Sequence, residues 1–162
     1  MVRLLTKEKD GKTLKIFIIL SLIGCILFLI LTTFMMFLYP GGYYYINYFS
    51  DLGFQTAHYF TPELRQPNPL CSKIFIIIFT LTGLLFSFFW ISLPAFFKEE
   101  KRKISFRKGG LVYGILSSIF LMLVAFFPTD IFGTFHIALA WLFFLFFIAA
   151  MGSYSILILL DN

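Results

Sequence analysis

The sequence predicts an all-α integral membrane protein, with four transmembrane helices packed as an up-down bundle and both termini in the cytoplasm. Composition supports this fold class, since 60% of the residues are hydrophobic and 13% are charged, and the mean hydropathy is +0.92. Soluble domains carry about a quarter charged residues, so a bilayer is the expected solvent. With 162 residues, we expect a single transmembrane domain over residues 1–162 and no separate soluble catalytic domain.

The placement of the basic residues is the second observation. Five Lys or Arg precede the first apolar run, six lie in residues 98–108, and only Arg65 and Lys73 lie between the first two runs. An excess of Lys and Arg in short loops marks the cytoplasmic side. We therefore expect an outer loop over residues 39–72 and a cytoplasmic loop over residues 98–108. Because topology accounts for the net charge of +5, no nucleic-acid partner is expected.

The first predicted helix covers residues 16–38, an uncharged run of 23 residues. Its length of roughly 34 Å is enough to cross a ~30 Å hydrocarbon core. A signal peptide has a shorter apolar core, so this run is expected to remain as an anchor.

The outer loop is rich in tyrosine and is broken by glycine and proline. Aromatic rings with a polar tip favour the headgroup region of a bilayer. We expect the loop to lie along the membrane surface as a lid over the outer end of the bundle, with a short interfacial helix around residues 48–60.

The remaining predicted helices cover residues 73–97, 109–127 and 134–160. Pro69 is a start signal for the second helix, and Pro128 bounds the third. The third helix carries Gly110, Gly114 and Ser118 at intervals of four, a spacing that lets helix backbones approach closely. This spacing suits packing inside the bundle or a dimer face.

The residues suited to binding or catalysis concentrate at the outer face, and no Asp, Glu, His, Lys or Arg falls in the middle of a predicted helix. Pumps, ion carriers and intramembrane hydrolases usually keep such a group at membrane depth, so its absence argues against those classes. The candidate binding residues are Asn47, Ser50, Asp51, His58, Asp130 and His136.

Three roles for these residues stay open, and a structural role is favoured. In that role Asp51 caps a turn, Asp130 caps the fourth helix, and each His bonds an acid or a lipid headgroup. Alternatively, Asp51, Asp130 and His136 supply acid-base catalysis, or the Asp and His residues bind a metal, although their spacing matches no known ligand pattern. We expect no metal and no cofactor. We also expect Asp51 to lie close to Asp130 or His136, because a loop this long is usually functional.

Short motifs in the chain resemble an uncharacterised family of archaeal and bacterial multi-pass membrane proteins, known as a domain of unknown function. The motifs are N-x-x-S-D-L-G over residues 47–53, Asn68-Pro69, and F-P-x-D over residues 127–130 followed by His136. That family is distantly similar to the damage-regulated autophagy modulator membrane proteins. The resemblance implies a membrane-embedded helical bundle with no established activity, and its members usually continue into further helices.

From the sequence we expect a non-enzymatic multi-pass protein of the cell membrane. Its expected partners are membrane lipid and helices of itself or of another membrane subunit. The alternative is a lipid-processing or metal-dependent enzyme that acts at the outer interface through Asp51, Asp130 and His136. No G-x-S-x-G motif or phosphate-binding glycine loop supports that alternative, but an enzyme is not excluded.

Overall fold

Four long helices dominate the computed structural model, which describes residues 2–43, 47–57, 66–97 and 103–161. They are α1 (Val2–Leu38), α2 (Pro69–Ser92), α3 (Ile104–Phe126) and α5 (Thr134–Asp161), and the single turn α4 (Thr129–Phe132) precedes α5. Within the described ranges these four helices are long and apolar enough to cross a membrane. The predicted fold class, an all-α integral membrane protein, is confirmed.

Three of the long helices begin earlier than their apolar runs. Helix α1 begins at Val2 instead of residue 16, because its basic first segment consists largely of good helix formers and contains no proline. Helix α2 begins at Pro69, where proline occupies the first turn and loses no hydrogen bond. Helix α3 begins at Ile104. Hydropathy therefore located the apolar part of each helix and not its first residue.

Neighbouring helices run antiparallel. Met35 near the end of α1 contacts Cys71 at the start of α2, whose Sγ lies 3.7 Å from the Met35 carbonyl oxygen. Ser21 on α1 bonds the carbonyl of Leu85, well along α2, at 3.2 Å. Helix α1 packs on α2, α2 on α3, and α3 on α5. The helices therefore form an arc in chain order, with α1 and α5 at its two edges.

The ends of the arc differ in composition. The C-termini of α1 and α3 and the N-termini of α2 and α5 share one end with the described parts of residues 39–68, and we call this the loop end. The opposite end carries the basic residues at the start of α3 and of α1, and we call it the basic end.

The small residues of α3 lie at helix contacts inside the arc. A Cβ atom on Gly110 would lie 2.7 Å from Cε2 of Tyr154 on α5, and one on Gly114 would fall onto the indole of Trp90 on α2. Ser118 is fully buried. The predicted close approach is confirmed, and it brings α3 against both of its neighbours.

The described parts of residues 39–68, which are 39–43, 47–57 and 66–68, contain little regular structure. Phe49–Gly53 form a 3-10 helix, and β1 (Thr56–Ala57) pairs antiparallel with β2 (Gln66–Pro67). The expected interfacial helix over residues 48–60 is therefore wrong over residues 54–57, where the chain leaves the 3-10 helix and forms a short strand. Residues 58–60 lie outside the described residues.

Candidate functional site

Asp130 fastens the loop to the start of the fourth membrane helix. Its Oδ2 accepts a hydrogen bond from the backbone N–H of Gln55 at 2.8 Å and another from the backbone N–H of Thr56 at 3.1 Å. Asp130 lies in the turn α4, which begins after Pro128. Because a carboxylate acceptor strengthens both bonds, this pair is a strong polar link between the loop and α4, the turn that precedes α5.

Asp51 acts within the loop. Its Oδ2 accepts from the backbone N–H of Tyr48 at 2.8 Å and from Nδ2 of Asn47 at 3.4 Å, which caps the 3-10 helix. Among the described residues Asp51 bonds neither Asp130 nor His136. The 3-10 helix that contains Asp51 packs against α4, and the expected closeness of Asp51 to Asp130 or His136 stays a prediction. The hydrogen bonds between the loop and α4 come from Asp130, and its partners are backbone amides.

Tyr43 packs beside this cap. Its ring meets that of Tyr39 edge-on, with the ring centroids 5.8 Å apart, and its hydroxyl donates to the carbonyl of Asn47 at 3.4 Å. Burial, and secondarily the negative charge of Asp51, raise the pKa of Tyr43 above its ordinary value of 10.0. Tyr43 therefore stays a neutral hydrogen-bond donor at physiological pH.

A second link joins the loop to the start of α2. Asn68, which is 1% exposed, donates through Nδ2 to the carbonyl of Phe54 at 3.0 Å and through its backbone N–H to the carbonyl of Gln55 at 2.8 Å. Gln55 in turn donates to the hydroxyl of Ser72 at 2.8 Å. Neither Gln55 nor Ser72 was among the predicted site residues. The available signal was an Asn directly before Pro69, at a position where a capping residue is common. The Asn68 side chain bonds the loop and makes no cap bond to α2.

The 3-10 helix lies directly on α2. A Cβ atom on Gly53 would come within 2.8 Å of Cδ1 of Phe75, so a side chain there would push the loop off the helix. The ring centroid of Phe49 lies 5.9 Å from that of Phe28 on α1 and 6.0 Å from that of Phe79 on α2. The loop therefore covers the loop end of the space between α1 and α5.

His136 lies in the first turns of α5 and is 4% exposed. Its Nδ1 is 2.7 Å from the carbonyl oxygen of Phe127. A carbonyl can only accept, so Nδ1 carries the hydrogen, and Nε2 of the neutral ring is an acceptor. In the described part of the chain Nε2 has no hydrogen-bond partner.

A groove of about 1020 Å³ lies between α1 and α5, with α2 and α3 as its floor. The rings of Phe86 and Phe147, whose centroids are 6.0 Å apart, close it toward the basic end. Its outer edges carry apolar side chains that the protein leaves exposed, including Leu29, Trp141 and Phe144. The groove is therefore open on the side that faces lipid.

Polar side chains are unevenly distributed along this groove. Among the described residues that line it, none is Lys, Arg, Asp or Glu. Tyr48, Ser50, Thr129 and His136 line its loop end. The hydroxyl oxygen of Thr129 is buried and has no hydrogen-bond partner among the residues that the structure describes. The groove is thus apolar along most of its length and polar at one end.

The predicted site residues fall into two groups. Asn47, Asp51 and Asp130 hold the loop, whereas Ser50 and His136 line the groove. His58 lies outside the described residues. Among the described residues, no three His, Cys, Asp or Glu side chains lie close enough together to hold a metal ion. Thr129 and the groove's aromatic residues were not predicted.

A comparison with protein families matches residues 22–159 to "Protein of unknown function (DUF998)". The chain belongs to this family. The DUF998 match begins inside α1 and ends inside α5, so it includes the loop, its links to the helices and the groove. No curated protein and no solved structure matches the chain. Because the DUF998 description states no activity, the function is argued below from the groove.

Proposed function

We propose that this protein is a non-enzymatic membrane protein that binds one lipid molecule in the groove between α1 and α5. The observation that carries this proposal is that the groove is open between α1 and α5, apolar along most of its length and polar at one end. A lipid has the same division into an apolar body and a polar end. In the proposed complex the apolar part lies along α1 and α5, and the polar end lies under the 3-10 helix.

The shape of the groove supports a specific occupant. Lipid tails are as apolar as the groove wall, so the hydrophobic effect alone gives a lipid no preference for the groove over the bilayer. Preference has to come from close packing and from hydrogen bonds at the polar end. A volume of about 1020 Å³ lies at the upper end of the usual range for small-molecule sites, roughly 300–1,000 Å³.

The enzyme alternative has weaker support. Catalysis through Asp51, Asp130 and His136 requires a carboxylate or a ring nitrogen positioned against a nucleophile or a substrate atom. In this chain both carboxylates accept backbone N–H bonds, and Nδ1 of His136 is bonded to a carbonyl. These contacts suit residues that hold structure. The free Nε2 of His136 is the group that an enzyme hypothesis would have to use.

The wider setting of the protein is also a proposal. The distribution of Lys and Arg supports an orientation with the basic end and both termini in the cytoplasm, and the cell membrane as the location. The exposed apolar edge of α1 would allow contact with another copy or with another membrane subunit. Similarity to the damage-regulated autophagy modulator proteins stays a prediction from the short motifs.

A pair of matched substitutions on α5 tests lipid binding. Ala140 lines the groove, whereas Ala138 is exposed and does not line it. We expect Ala140→Trp to fill the groove and Ala138→Trp to leave it open. The protein is reconstituted in phosphatidylcholine nanodiscs with oleyl alcohol that carries a photoreactive diazirine in its chain, and the labelled residues are mapped by mass spectrometry.

The expected result is labelling concentrated on groove residues in the wild-type protein and in Ala138→Trp, and its loss in Ala140→Trp. Equal labelling of all lipid-facing residues in the three proteins would refute the proposed function, because it would show that the probe has no preference for the groove.

A further inference from the structure

We propose that the polar end of the groove recognises an uncharged lipid alcohol, whose free hydroxyl bonds to His136 and Thr129. This inference rests on the proposed function and names the class of lipid. It starts from two polar atoms that line or adjoin the same cavity and lack partners within the described chain, Nε2 of His136 and Oγ1 of Thr129.

The two atoms offer complementary hydrogen-bonding roles. The bond from Nδ1 to the Phe127 carbonyl fixes the tautomer of the neutral ring and leaves Nε2 as an acceptor. The Thr129 hydroxyl can donate as well as accept. A lipid hydroxyl donates one hydrogen bond and accepts others through the same oxygen, so it can satisfy both groups at once. An ester or ether oxygen accepts only and cannot bond the ring nitrogen.

A buried polar atom without a partner is costly, and in the described part of the chain the Thr129 hydroxyl at the polar end of the groove is such an atom. A ligand that bonds this hydroxyl would remove the cost, and the same ligand would give Nε2 of His136 a donor. The position of these two groups, under the 3-10 helix and above a long apolar cavity, is where the polar end of a lipid would lie.

Charge at this end disfavours a phosphate headgroup. None of the described lining residues is Lys or Arg, and Lys73, at the same end of α2, is exposed and does not line the groove. The nearest charge along the chain is the Asp130 carboxylate, next to Thr129, and it would repel an anion. Burying an anion without a cation partner is strongly unfavourable. A neutral hydroxyl avoids this penalty.

The test compares two competitors of the diazirine probe, oleyl alcohol and oleyl methyl ether. They share the same chain, and only the alcohol can donate to Nε2. One hydrogen bond contributes about 0.5–1.5 kcal/mol, so wild-type protein should be half-inhibited by an alcohol concentration about two- to tenfold lower than that of the ether.

Two variants locate this preference. His136→Asn keeps a donor at the position of Nδ1, and so the bond to Phe127, while it removes Nε2. Thr129→Val removes the hydroxyl and keeps the shape. Both variants should still bind the probe, and His136→Asn should bind alcohol and ether equally. Thr134→Val, at an exposed position outside the groove, should keep the wild-type preference.

The outcomes separate the two proposals. Equal competition by alcohol and ether in the wild-type protein, with labelling still lost in Ala140→Trp, would refute the lipid-alcohol inference and leave lipid binding in place. Stronger competition by oleyl phosphate than by oleyl alcohol would also refute it. Failure of the wild-type groove to be labelled at all would refute the proposed function itself.

Discussion

The bonds of Asp130 predict how firmly the loop is held. Asp130→Ala removes the acceptor for the backbone N–H groups of Gln55 and Thr56, which lie 2.8 Å and 3.1 Å from Oδ2. We expect the loop to open more often in this variant, because its direct polar link to α4 is lost. The links through Asn68 remain, so the loop should reclose.

The size of the effect follows from the two bonds. Hydrogen bonds to a charged group contribute about 1.5–3 kcal/mol each, which gives an upper limit of about 6 kcal/mol. Gln55 is exposed, so water can replace part of what is lost, and a cost of about 3 kcal/mol is the reasonable expectation. Since about 1.4 kcal/mol changes an equilibrium constant tenfold, the open state should become about a hundredfold more populated.

Hydrogen exchange measured by mass spectrometry provides the assay. In nanodiscs, peptides that contain residues 47–57 should exchange about a hundredfold faster in Asp130→Ala, while peptides from the middle of α3 should not change. Asp130→Asn keeps a neutral acceptor oxygen and should show about a tenfold increase. Unchanged exchange over residues 47–57 in Asp130→Ala would refute the argument that Asp130 holds the loop. It would indicate that the bonds of Asn68 are enough to hold it.

Two further predictions concern packing and topology. Gly114→Ala places a methyl group on the buried Trp90 indole, 2.7 Å from Cε3. Overpacking costs about 3 kcal/mol of folding free energy, and the better helix propensity of Ala returns about 1 kcal/mol. The net loss of about 2 kcal/mol should lower the melting temperature in detergent. Gly109→Ala meets only an ordinary contact at 3.7 Å and should leave the melting temperature unchanged or higher, so equal effects of the two would contradict the packing argument. In a variant without the native cysteines, cysteine at Gln66 should react with an impermeant reagent in intact cells and cysteine at Ser105 should not, and the reverse pattern would overturn the topology.

The helices were predictable because hydropathy and length are local properties of the sequence. The fourth membrane helix, predicted over residues 134–160, runs over Thr134–Asp161. The start of α1 was missed by fourteen residues, because the apolar run reports where lipid begins, whereas a helix continues into water for as long as its residues favour it. The end of the apolar run and the end of the helix coincide only where a helix breaker such as Pro128 lies at the boundary.

The candidate site was predictable in its residues and not in its contacts. Asp130 and His136 were selected for their chemistry, but the partners of Asp130 are backbone amides 75 and 74 residues away in sequence. Any residue type supplies such an amide, so the pairing leaves no trace in the sequence. The groove left no trace either, because apolar side chains that face lipid and those that face the groove follow the same pattern.

The position of α1 at one edge of the arc has a consequence for how the protein comes apart. Only 11% of its apolar stretch is buried inside the protein, against 39% for α3, so lipid is the main solvent of α1. Heating should therefore separate α1 from α2 before α3 separates from α5, because fewer protein contacts hold it in place. A groove wall that is held so lightly would also respond to the thickness of the surrounding bilayer, since tilting is the usual accommodation of a long apolar helix.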